Sequence, residues 1–143
     1  MPLGQSSTVG WRRHRAGEAG ETEWTWRSVM ASTLIAERNR ACLDACSECE
    51  QACEACAYGC CMGSAEMAAC GQLCLDCAAI SRLCQTLVER GSAWAAKACE
   101  LCAEICEACA AECAKHEDEA CRRCAEACQR CVRECRAMVS ATA

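Results

Sequence analysis

The sequence predicts an all-α protein: an antiparallel, up-down-up-down four-helix bundle with a cysteine-lined core. Three observations carry this. The 143 residues include 21 Cys, no Phe and a single Pro, at Pro2. The cysteines recur at alternating intervals of three and four. The alternating β-branched and aromatic runs that mark strands are absent. Most of the glycines fall near the N-terminus or at expected helix ends, so little interrupts long helices.

The first helix is expected over about 30–61. Its cysteines are Cys42, Cys46, Cys49, Cys53, Cys56 and Cys60. At 3.6 residues per turn they share one stripe, about 80° wide and roughly 27 Å long. This is the seam of a bundle with cysteine where leucine is usual. Cys61 falls off that stripe by about 100°, so it either reaches the bundle end or faces out.

Gly63 and Ser64 read as a C-cap and the next N-cap. The second helix then covers about 65–90, with a stripe of Met67, Cys70, Cys74, Cys77, Ser81, Cys84 and Val88. Gly91-Ser92 repeats the stop-and-start signal. The third helix, about 93–115, carries Cys99, Cys102, Cys106, Cys109 and Cys113, with His116 three residues further on. Glu117-Asp118-Glu119 suits a helix N-terminus. The fourth helix runs to about Val139 with Cys121, Cys124, Cys128, Cys131, Cys135 and then Met138. Short links make neighbouring helices antiparallel.

Residues 1–29 differ from the rest. They hold no Cys and three of the four Trp: Trp11, Trp24 and Trp26. They read either as a flexible extension or as sequence ahead of a start at Met30, leaving 30–143 as the bundle domain. Outward positions such as Glu48, Glu54, Glu104, Arg123 and Arg130 read as a solvated face.

Composition excludes several functions. A net charge of −5 argues against nucleic acid. No run of 18 apolar residues exists, so no membrane span is expected. Nothing resembles a catalytic triad, a phosphate loop or paired acid/base carboxylates, so no enzyme is expected. After Arg12-Arg13 comes His14-Arg15-Ala16-Gly17-Glu18, with no apolar stretch of an export signal. The expected compartment is therefore the reducing cytoplasm.

The topology sorts the bundle ends. One holds Cys60, Cys61, Met62, Met67, Cys70, Cys113, His116 and Cys121. The other holds Leu34, Ile35, Leu83, Leu87, Val88, Trp94, Met138 and Val139, and is expected to be an apolar plug. One end is rich in soft ligands, which predicts a single mouth.

Packing alone does not account for about twenty inward thiols. Cysteine is a small hydrophobe, and replacing Leu or Ile with it throughout would leave costly voids. Disulfides fit poorly with an odd count, helical periodicity and a reducing compartment. Soft metals remain. Iron–sulfur motifs group cysteines in irregular loops. Zinc takes four converging thiolates, a site of charge −2, and several of these buried together would be costly. Cu(I) accepts two thiolates, and thiolates can bridge. Each ion then replaces one proton and the core stays near neutral, giving a capacity on the order of 20 ions. A zinc or general soft-metal sponge, and a redox protein cycling helical disulfides, are the alternatives.

The blocks ACLDACSECEQACEAC, ACELCAEICEACAAEC and ACRRCAEACQRCVREC, within residues from about 30 to 143, resemble the bacterial copper storage proteins. That resemblance implies a homotetramer of bundles, many Cu(I) ions inside each, and loading through an open end with Met and His. The chain looks like the cytosolic type. The candidate ligands are all twenty-one cysteines plus Met62, Met67 and His116. Ser81 departs from full thiol lining, which removes a site or lowers its coordination.

Overall fold

The computed structural model describes the backbone of residues 21–142, with side chains described at residue 37 and over 39–142. Four helices follow one another: α1 (Glu21–Cys56), α2 (Ala68–Glu89), α3 (Ala95–Cys113) and α4 (Glu119–Thr142), with a single π turn at Ala57–Cys61 closing α1. Residues 34–143 form one compact unit. Helix α1 starts well before the expected Met30. No Gly or Pro lies between Glu21 and Tyr58, so nothing in the sequence halts the helix earlier. Residues 1–20, including Trp11 and His14, and the side chains of Leu34 and Ile35 lie outside what is described.

Thiol pairs fix the topology. Cys42 meets Cys135 and Cys56 meets Cys121, so α1 and α4 run antiparallel. Cys70 meets Cys113 and Cys84 meets Cys99, which does the same for α2 and α3. Cys102 with Cys131 and Cys109 with Cys124 set α3 against α4. Across the diagonals the order is parallel: Cys42 with Cys99 and Cys49 with Cys106, then Cys74 with Cys124 and Cys77 with Cys128. This is the up-down-up-down bundle that the sequence predicts.

Alanine makes the arrangement possible. Ala45, Ala78, Ala98, Ala103, Ala110, Ala125 and Ala127 are buried beside the cysteine stripes. Small residues at the seams let the helices approach, so that short cysteine side chains still meet at the centre. Outside, ion pairs tie neighbours together: Arg82 to Glu50 and Glu54 at 2.8 Å, Arg136 to Glu107 at 2.8 Å, and Arg130 to Glu48. Exposed pairs of this kind contribute at most about 1 kcal/mol each.

The turns depart from expectation in one respect. Gly63 and Gly91 adopt left-handed φ of 83° and 60°, as their stop positions require. Ser92 accepts the Trp94 N–H on its Oγ at 3.2 Å. Ser64, however, caps nothing: α2 begins four residues later, with Met67 at its N-cap and no side-chain cap. At α4, Asp118 is the cap, its Oδ1 accepting the Ala120 N–H at 2.9 Å.

The plug is thinner than expected. Val88 and Met138 are buried, and Leu87 and Val139 are partly buried against the core. Leu83 is 50% exposed and Trp94 is 69% exposed. Leu83 precedes Cys84 by one residue, so it points about 100° away from the stripe. Trp94 stands in the turn before α3, where no helical face directs it inward.

Candidate metal centre

All twenty-one cysteines are free, and all are buried except Cys60, which is half-buried. Their sulfurs form a column along the bundle axis. Sγ–Sγ separations run from 3.2 Å for Cys84 and Cys99 to 4.0 Å for Cys42 and Cys99. Two sulfurs on one ion, each at about the 2.3 Å zinc–thiolate length, stand at most about 4.6 Å apart. The column is therefore spaced for shared ions with little movement. Foursomes such as Cys42/Cys84/Cys99/Cys135, Cys46/Cys102/Cys131/Cys135 and Cys49/Cys53/Cys77/Cys128 have all their sulfurs within 4.8 Å of one another.

The electrostatics are as informative as the geometry. Among the described residues, Ser81 is the only buried polar or charged residue. None of the described cationic side chains stands in the core to balance thiolate charge. Burial pushes the Cys121 thiol up to about 12, and it raises Cys56 and Cys61 as well. A metal that binds there must displace protons, and its charge must match the charge it creates.

Cys61, which the stripe left off-axis, is buried 3.8 Å from Cys56 Sγ and 3.8 Å from Cys60 Sγ. The π turn does this. The Met62 N–H donates to the Ala57 carbonyl at 3.0 Å, five residues back, which inserts one extra residue and swings Cys61 inward. The signal was the AYGCC run, where Gly59 precedes two adjacent cysteines.

Met67 is half-buried against the cysteine core, while Met62 is 67% exposed at the rim. His116 follows the C-terminus of α3 and is mostly covered. Its Nε2 is buried without a hydrogen-bond partner, standing 3.5 Å from Glu112 Oε1. Glu112 bonds Lys115 at 2.6 Å, which holds its carboxyl below the ordinary value, with His116 adding to this. Ser81 occupies a cysteine position in full: it is buried, with Oγ 3.7 Å from Cys102 Sγ.

A four-helix bundle whose interior, over the described residues, is a cation-free column of free thiols defines a class: a soft-metal store built on a bundle core. Comparison with known proteins makes the class specific. The copper storage protein family matches residues 35–140, and the chain belongs to that family. The Cu(I)-bound copper storage protein BsCsp3 is 38% identical, with a TM-score of 0.68 over 71% of this chain and 98% of its own. Apo copper storage protein 3 from Bacillus subtilis is 38% identical, with a TM-score of 0.66 over 70% of this chain and 97% of its own. A cytosolic copper storage protein from Streptomyces lividans carrying five coppers is 31% identical, with a TM-score of 0.69 over 76% of this chain and 97% of its own. Among curated proteins nothing matches.

Proposed function

We propose that this chain is a cytoplasmic Cu(I) store that holds many ions on bridging core thiolates and catalyses nothing. One observation carries the reading: a column of free thiols with no buried cation beside it among the described residues. One Cu⁺ per thiolate keeps that interior neutral at every stage of filling. Each four-thiolate zinc site would add two uncompensated negative charges. The relatives with copper in their names, and the Streptomyces lividans one described as cytosolic, support the same reading. No described helix is long and apolar enough to cross a membrane.

All twenty-one cysteines serve as ligands in this reading, Cys61 among them. Copper is loaded at the end bearing Met62, Met67 and His116. The unpartnered Nε2 of His116 supports its role as a loading ligand, because a buried nitrogen without a hydrogen bond is costly unless something else uses its lone pair. The exposed thioether of Met62 and the half-buried one of Met67 suit weak, passing contacts with a soft ion. Self-association, to a tetramer as in the family resemblance, is consistent with the exposed Tyr58, Leu75 and Leu101.

The test is an anaerobic Cu(I) titration of the reduced protein against a chromophoric Cu(I) chelator, with zinc in parallel. Uptake of roughly one Cu(I) per thiol, on the order of 20, is expected before the chelator responds. Uptake of a few Cu(I), with zinc saturating near one ion per four thiols, would overturn it.

A further inference from the structure

Ser81 does more than omit one ligand. On one side of it stand seven thiols in mutual contact: Cys42 with Cys99 and Cys135, Cys46 with Cys131 and Cys135, Cys84 with Cys99, Cys102 with Cys131, and Cys131 with Cys135. On the other side stand the remaining fourteen, out to the mouth. Among the described residues only one Sγ–Sγ contact within 4.0 Å joins the two groups, Cys102 to Cys106 at 3.8 Å. Cys131 also faces Cys49 and Cys106, but at longer range.

The break has a simple cause. On α2 the thiol ladder steps through Cys70, Cys74 and Cys77, and the next rung is Ser81, whose hydroxyl is a hard, poor ligand for a soft ion. Cys84 is thereby cut off from its own helix's ladder and meets Cys99 instead, at 3.2 Å. The inner group has an extra soft ligand at its far end. Met138 Sδ lies 3.6 Å from Cys99 Sγ, and Met138 is buried. The sequence alone placed Met138 in the apolar plug.

We propose that the column is two Cu(I) compartments in series, divided at Ser81, with Met138 closing the inner one as a thioether ligand. This rests on the Cu(I)-storage reading. A Cu(I) ion moves along the column by ligand exchange: the next thiol attaches, giving its proton to solvent, before the previous sulfur lets go and is reprotonated. No electron is transferred. Where many sulfurs touch, many such steps are open. At the Ser81 level traffic is confined to the Cys102–Cys106 contact and the longer approaches of Cys131 to Cys49 and Cys106, with no thiol on α2 to share it. The inner seven thiols therefore fill last and empty last. Met138 adds a neutral ligand, so an ion bound between it and the Cys99 thiolate carries no net charge and can reside at the closed end.

The experiment uses the fully loaded protein and excess chromophoric chelator, following Cu(I) removal with time. Two phases are expected, the slow one carrying about a third of the copper, seven thiols in twenty-one. Ser81→Cys restores the missing rung and should merge the phases. Ser81→Ala keeps the gap and should leave both. Met138→Leu keeps the packing and should speed the slow phase while leaving the fast one unchanged. A single phase in the native chain, or two phases unaltered by Ser81→Cys, overturns the proposal. A chain that never takes up more than a few Cu(I) instead overturns the storage reading beneath it, and the loading step reveals this before any removal is followed. Circular dichroism of each empty variant checks that it folds.

Discussion

A Cβ placed on Gly71 would lie 2.9 Å from the Cβ of Cys61, closer than real side chains approach. Gly71, in the first turn of α2, thus provides the space into which the π turn delivers Cys61. Gly71→Ala should force the turn outward and destabilise the protein by about 1–3 kcal/mol, the usual cost of overpacking. Cys61→Gly removes the opposing Cβ, so Gly71→Ala should be harmless in that background. A double-mutant cycle in urea measures the difference. If the two substitutions simply add, the close approach does not control the turn.

That pair also marks where sequence reasoning stops. The alternation of three and four made the stripes, the helix order and the antiparallel pairing legible, because α periodicity maps residue number onto angle. It even placed Ser81 inside the core. The rule holds only while the helix stays α. One π turn shifts the phase, and Cys61 moves from ambiguous to buried. Ser64 misled for a related reason: it has cap chemistry, but the chain spends three more residues in a turn before α2 begins. Trp94 and Leu83 were assigned by hydrophobicity and bundle end, which do not specify facing. The partition at Ser81 depends on distances between helices, which spacing along one helix cannot supply.

The empty bundle should weaken in alkali. Cys121, Cys56 and Cys61 have thiol pKa values raised by burial in the folded state, Cys121 to about 12. In the unfolded chain a thiol ionises near about 8.5. Above that pH the unfolded state loses protons that the folded state keeps, so stability is complete below about pH 8.5 and falls as pH rises toward the folded values. Thermal melts of the copper-free reduced protein should show a falling Tm from pH 8 to about pH 10. The copper-loaded protein has already given up those protons, and its Tm should change little over the same range. A flat profile for the empty protein would show that burial does not govern these thiols.

The expected cap Ser64 and the cap the structure shows, Asp118, should behave differently. Asp118 accepts the Ala120 N–H at the start of α4, and Asp118→Ala should cost about 1 kcal/mol. Ser64 bonds no helix N–H with its side chain, and Ser64→Ala should stay within about 0.5 kcal/mol. Urea denaturation of the copper-free protein compares them. A larger loss at Ser64 than at Asp118 would contradict the capping assignment.

A variant of His116 tests the proposed loading step apart from capacity. Its Nε2 is buried without a hydrogen bond and stands 3.5 Å from Glu112 Oε1, so removing the ring takes away a costly group and only that longer contact. A purely structural histidine would lower Tm when truncated. A loading ligand would leave Tm unchanged or higher. His116→Ala should therefore keep the full Cu(I) capacity, since every thiol remains, while slowing uptake roughly tenfold, the low end of what losing a metal-site partner costs. Stopped-flow transfer from a Cu(I)–chelator complex measures the rate, and titration measures the capacity. Met67→Leu beside it tests whether the thioether shares the step: additive slowing places both on one route, and slowing by Met67→Leu alone moves the route to the α2 side of the mouth. Unchanged uptake in both variants would leave the half-buried Cys60 as the first ligand that an arriving ion meets.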